Sequence, residues 1–171
     1  MKNLSKLFIL IVLIQSCKKI EKTKISSIDT VNWENRTIKH KLPDSLIHGQ
    51  TYLSVYSQIY SQTEQRTHDL TATVSLRNTN TTDTLYVDKA EYFGTEGNLI
   101  RTYFDKTIHI APMETVEIII DEEDQTGGTG ANFLFVWKIK QNTNEPLFEA
   151  IMISTSGQQG LSFTTQGKRV K

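Results

Sequence analysis

Four histidines, a run of carboxylates beside glycines, a stripe of tyrosines and a lone cysteine are the residues of this chain that could do chemistry. Nucleophilic catalysis needs a base within hydrogen-bond reach of the nucleophile, itself oriented by a third group. His40, His48, His68 and His109 supply imidazoles, but none stands in a recognisable motif, and no G-x-S-x-G elbow occurs. The His-x-x-x-His pair that zinc prefers is also missing. The densest feature is Asp121-Glu122-Glu123-Asp124-Gln125-Thr126-Gly127-Gly128-Thr129-Gly130-Ala131-Asn132. Successive carboxylates repel one another, and a hard cation taking oxygen ligands would relieve that repulsion. Yet the spacing departs from the calcium loop, and the glycines lack the Lys-Ser/Thr ending of a phosphate-cradling loop. Two readings stay open: a polar binding loop built on Asp121, Glu122, Glu123, Asp124, Gly127, Gly128, Gly130 and Asn132, or a plain connection whose glycines supply positive φ. Whether a metal sits there is left unknown, and no cofactor is expected.

Tyr52, Tyr56 and Tyr60 fall on one face if 52–60 is a strand, interleaved with Ser54 and Gln58. Leu53, Val55 and Ile59 take the other face. Such an aromatic face suits contact with a protein or glycan, since each ring offers apolar area and a hydroxyl. It suits packing between sheets equally well, and tyrosines spaced four apart would also align on a helix, so the element stays open.

Cys17 ends a leader. Lys2 and Lys6 precede an unbroken apolar run from Leu7 to Ile14, and Gln15-Ser16-Cys17 follows. A positive start and an apolar core of about 7 to 15 residues describe a secretory signal, and the run is shorter than the roughly 20 residues that cross a bilayer. An aliphatic residue three before a cysteine and a small one just before it resemble the lipobox of bacterial lipoproteins, in which the cysteine is acylated. This predicts a signal peptide over 1–16 and a palmitate-type anchor on Cys17. The mature chain then loses Lys2 and Lys6, leaving 17 basic against 19 acidic side chains, or −2. Residues 17–48 read as a tether and N-terminal extension with low order to about residue 28, and Trp33 and Pro43 mark a part that could dock. The expected location is the extracytoplasmic side of a bacterial cell envelope, held at a membrane by lipid.

Composition narrows the classes further. The 171 residues carry 19 basic and 19 acidic side chains with a pI near 6.9, which gives no footprint for nucleic acid. One cysteine excludes an internal disulfide framework. From residue 49 to 171 the pattern is β. Leu70, Ala72, Val74 and Leu76 alternate with Thr71, Thr73, Ser75 and Arg77, the period of a half-buried strand. Residues 78–83 form a turn cluster, and 84–93 is a strand whose apolar phase slips between Val87 and Ala90, predicting a bulge. Strands follow at 98–104, 115–121, 132–140 and 147–154, with Phe163 in a last one before the basic tail 168–171. Strands 132–140 and 147–154 are apolar on both sides, which predicts central positions with both faces covered. The expected fold is all-β: an antiparallel β-sandwich of Ig-like architecture, without the Cys-Trp-Cys framework of immunoglobulins.

Gly-Gly-Thr-Gly-Ala-Asn-Phe (127–133) and Glu-Ala-Ile-Met-Ile-Ser-Thr-Ser-Gly-Gln-Gln-Gly-Leu-Ser-Phe (149–163), with the segments 52–60 and 74–80, resemble a bacterial family, domain-of-unknown-function family 3124. The resemblance spans residues 49–170. Where that family usually carries Pro and His, this chain has Ser54 and Gln58, which weakens a catalytic task for an imidazole there. The resemblance implies a secreted or lipid-anchored β domain and supplies no activity, cofactor or site. Together these features point to a binding or interaction module, its partner an envelope protein or glycan; an envelope hydrolase with a loop-borne Ser, His or acid is the alternative.

Overall fold

The period-two runs do become strands. The computed structural model describes residues 31–155 and 160–171, so the leader, Cys17 and residues 156–159 lie outside it. One sheet follows the order β12 (Lys168–Arg169), β1 (Ile47–Ser54), β9 (Asn132–Ile139), β5 (Leu85–Phe93), β6 (Leu99–Phe104), with β7 (Ile108–Ile110) also on β5. The second follows β11 (Leu161–Gln166), β10 (Leu147–Ser154), β4 (Thr71–Arg77), β8 (Thr115–Ile120). A separate two-stranded ribbon pairs β2 (Gln58–Ser61) with β3 (Thr63–Asp69). Every pairing is antiparallel. The molecule is the antiparallel β-sandwich that the alternation predicts.

The core lies between the two sheets, where their inward rows meet. Leu70, Ala72, Val74 and Leu76 are buried, as are Phe133, Phe135, Trp137 and Ile139 of β9. Phe135 of the first sheet stacks on Phe148 of the second at 4.5 Å between centroids, and Phe133 stacks on Phe135 and Tyr92. Trp137 is wholly buried, and its indole Nε1 donates to Thr51 Oγ1 at 2.9 Å. Its ring lies over Gly49, its register partner on β1, where a Cβ would come within 2.2 Å of Cζ2. Only a glycine lets the strand pass so close. The predicted bulge is present: pairing of β5 with β9 shifts register between Val87 and Lys89.

Four expectations change. Residues 52–60 are not one strand, because β1 stops at Ser54 and β2 starts at Gln58; the Val55 amide bonds Ala131 O and the Leu70 amide bonds Ser57 O, which turns the chain out of the sheet. The outer face of β10 is not covered, since Ile151 and Ile153 are 41% and 44% exposed. Nor is the basic run 168–171 a free tail. It crosses at Gly167 from the second sheet to the first and pairs with β1, Thr51 opposite Arg169. Finally, β1 begins at Ile47, two residues before the expected boundary.

Residues 31–46 run along the first sheet. Asn32 caps a 3₁₀ turn at Trp33–Arg36, Trp33 packs on Phe104 at 4.7 Å, and Thr37 bridges to Ile108. Arg36 donates to Glu114 at 2.8 Å. Val31 therefore sits against Ala111 and Glu114, at the end of the sandwich that also carries the turns 78–84 and 140–146. Buried Asn78 pins that end, donating to the carbonyls of Asp83, Ile110 and Ala111. The opposite end, here called the apex, carries the ribbon and the connections 94–98 and 121–131.

Candidate functional site

The acidic, Gly-rich connection is held from below. Asp124 is buried and caps the short 3₁₀ stretch Gln125–Gly130; its Oδ1 accepts from Thr126 Oγ1 (2.6 Å) and from the Thr126 amide (3.3 Å). Arg101 Nη2 donates to Asp124 Oδ2 at 3.0 Å, and Arg101 Nη1 donates to Tyr103 Oη at 2.9 Å. Burial alone would raise the Asp124 pKa, but the hydrogen bonds from Thr126 and Arg101 and the guanidinium charge hold it below the usual carboxylate range. Tyr92 lies underneath with its hydroxyl buried and no partner in bonding geometry, and that burial drives its pKa well above the ordinary phenol value, although Ser57 lies close enough to oppose the rise.

Each glycine of this connection has its own cause. Gly127 packs on the Tyr92 hydroxyl, 1.9 Å from where a Cβ would stand. Gly128 has φ +71°, the conformation expected for such a loop. The Gly130 amide donates to Thr95 Oγ1 at 2.8 Å, and that hydroxyl donates to Gly127 O. Asn132 is the first residue of β9, paired with Ser54.

The carboxylates do not converge. Asp124 points inward to Arg101, Asp121 Oδ1 accepts from the Glu123 amide at 3.0 Å, and Glu122 and Glu123 stand in solvent. Among the described residues no group of three or more His, Cys, Asp or Glu is disposed to hold a metal ion.

What the apex does assemble is a ribbon and a cleft, which the sequence did not announce. Tyr52, Tyr56 and Tyr60 occupy three different places. Tyr52 stands on the outer face of β1, Tyr56 packs against Phe163 at 5.9 Å, and Tyr60 projects from the ribbon, 61% exposed. Ile59 pairs with His68 across the ribbon, and both line a cleft of about 340 Å³ closed by Ser61, Ser154 and Leu161. The Gln58–Asp69 pair links the ribbon to the acidic connection. Gln58 Nε2 donates to Asp69 Oδ1 (2.7 Å) and Gln125 Nε2 to Asp69 Oδ2 (2.8 Å), while Ser57 Oγ donates to Gly128 O (3.3 Å). Ribbon and loop are thus one structure. The turn joining β2 to β3 places Gln62 at φ +67° without the Gly or Asn that would have marked a hairpin.

The other imidazoles lie elsewhere. His40 and His48 line a cavity of about 320 Å³ with Leu42, Pro43 and Lys138, and Lys138 is bound to Asp88. His109 Nδ1 donates to Arg36 O at 2.8 Å, beside the Arg36–Glu114 ion pair. Cys17 lies outside the described residues, and no helix within them is long and apolar enough to cross a membrane.

These features define a two-sheet antiparallel sandwich whose loops at one pole build a polar platform around an aromatic ribbon. Residues 48–170 match the family described as "Protein of unknown function (DUF3124)", and the chain belongs to that family. No curated protein matches it. Among solved structures it is similar to the one titled "Crystal Structure of Thermotoga maritima 1070", at 10% identity and a TM-score of 0.42, covering 70% of this chain and 92% of that one.

Proposed function

We propose that this chain is a lipid-anchored protein of the bacterial cell envelope whose sandwich serves as an interaction module, with the apex as its contact surface. One observation carries the reading: the exposed ring of Tyr60 stands beside an open cleft of Ile59, His68 and Leu161, at the pole opposite Val31. Aromatic side chains at solvent-open positions are favoured contact residues. The leader ending at Cys17 supports the anchor, and the chain that follows it reaches the domain at the pole away from the cleft.

A hydrolase has one point in its favour, since Ser61 and Ser154 line the same cleft as His68. The adjacent carboxylate, Asp69, is engaged by Gln58 and Gln125 on the other side of the ribbon. The sandwich is therefore read first as a binder.

Two measurements on the full chain expressed in a bacterium test this. Intact mass of the mature amino terminus is expected to show an acylated Cys17; an unmodified Cys17, or cleavage elsewhere, removes the anchor. A photo-crosslinking residue at position 60 is expected to give discrete adducts in cells that the same residue at position 113, exposed at the opposite pole, does not give. The same pattern from both positions removes the apex as the contact surface.

A further inference from the structure

We propose that the partner met at the apex is a basic polypeptide segment, one that places a Lys or Arg side chain over Tyr60 and meets the acids of the apex connections with its other cations. This rests on the apex being the contact surface. Charge is distributed unevenly along the molecule. Apart from Asp121 and the Arg101–Asp124 pair, the connections and ribbon of the apex carry Glu64, Asp69, Glu96, Glu122 and Glu123 against Arg66 alone. The remainder of the described chain is close to balanced, and its cations are largely matched. Arg36 pairs with Glu114, Lys138 with Asp88, Lys140 with Asp83, and Arg169 with Glu145. The apex is therefore the negative pole of the domain.

That polarity selects among occupants. A surface of one sign steers and retains partners of the other and disfavours those of its own. An anionic bilayer or a polyanionic envelope polymer is repelled from this pole. A neutral glycan could stack on Tyr60 but would gain nothing from the acids. A Lys or Arg side chain uses both features, because its charge can sit over the tyrosine face while its methylenes cover Leu161 and Ile59. The cleft, at about 340 Å³, has room for a side chain or two and not for a folded element.

The test uses the full chain in non-ionic detergent and three fluorescent probes: octalysine, octaglutamate and the neutral sugar oligomer chitohexaose, with affinity read by anisotropy. Octalysine is expected to bind and to weaken as salt rises, with octaglutamate and chitohexaose at background. Glu122→Gln with Glu123→Gln should lower octalysine affinity about fivefold, and Tyr60→Ala about threefold, from typical exposed ion-pair and cation–π contributions. As a control for charge alone, Glu34→Gln with Asp44→Asn removes two exposed acids outside the apex and is expected to change affinity less than about twofold, because screening confines such effects to roughly 8 Å. Equal losses from the two double variants, or binding of octaglutamate as tight as octalysine, overturn the inference. So does no binding of octalysine, or chitohexaose binding that depends on Tyr60 but not on charge. Each of these leaves the apex reading to be decided by the position-60 crosslink, so the two failures are distinguishable.

Discussion

Trp137→Ala is expected to destabilise the domain by about 4 kcal/mol, because truncating a fully buried aromatic removes its transfer free energy and leaves a cavity. The Thr51 hydroxyl, itself buried, would also lose its partner at 2.9 Å. Against a total stability of about 5–15 kcal/mol this is a large share. It corresponds to a fall in Tm of about 10–20 °C for a domain of this size. Thermal and urea unfolding followed by circular dichroism check it. Trp137→Phe, which keeps most of the volume and loses the indole N–H, should cost about half as much. A loss below about 1 kcal/mol for the alanine variant would contradict the packing of this ring over Gly49.

Asp124→Ala is expected to cost about 3 kcal/mol, because it strips the Gln125–Gly130 stretch of its cap and leaves a half-buried Arg101 without its carboxylate. The same residue sets a pH dependence. Its folded pKa lies below the unfolded value of about 3.9, so the folded state binds the proton less readily. Its contribution is therefore complete above that unfolded value and is lost as pH falls through the folded one. Glu114, lowered by its hydrogen bond from Arg36, acts in the same direction with more solvent around it. Unfolding measured from pH 6 to pH 2 should show stability falling steeply below about pH 4. In Asp124→Asn the fall should be shallower. A slope identical in the two proteins would show that this carboxylate is not what acid titrates. A double-mutant cycle with Arg101→Met isolates the pair and should give a coupling above about 1 kcal/mol.

The strands that bury one row of side chains were legible in the sequence, because alternation is set by the pleat and survives any arrangement of neighbours. β4, β8 and β9 are such strands, and even the bulge in β5 showed as a slipped phase. β3 was not legible, since Thr63–Asp69 is polar throughout and exposed along most of its length, with nothing to bury and so no period. β12 escaped for a related reason: two basic residues on a sheet edge obtain their stability from backbone pairing with β1, which leaves no mark on side-chain type. Both faces of β10 were expected to be covered because Ile151 and Ile153 are apolar, but β-branched residues also occupy open faces of a strand.

The site divides along the same line. The acidic, Gly-rich connection stood out by composition, yet its best-placed acid is structural: Asp124 is turned to Arg101, a residue that nothing in the sequence singles out as its partner but that the fold brings from β6 to within 3.0 Å. Tyr60 was picked for belonging to a stripe and is exposed for the opposite reason, because the stripe is broken by the turn at 55–57. Its neighbours His68 and Leu161 come from separate strands, and only tertiary structure could assemble them.

The closing of the first sheet has a kinetic consequence. β1 gains its outer neighbour only when Arg169 arrives opposite Thr51, roughly 120 residues later in the chain. Contacts of that span demand a long conformational search before they return any free energy, so all-strand topologies of this kind acquire their native state over milliseconds to seconds. Until that moment the backbone groups along one flank of β1 remain unmatched, which leaves the folding molecule open to self-association at the strand that β12 will shield.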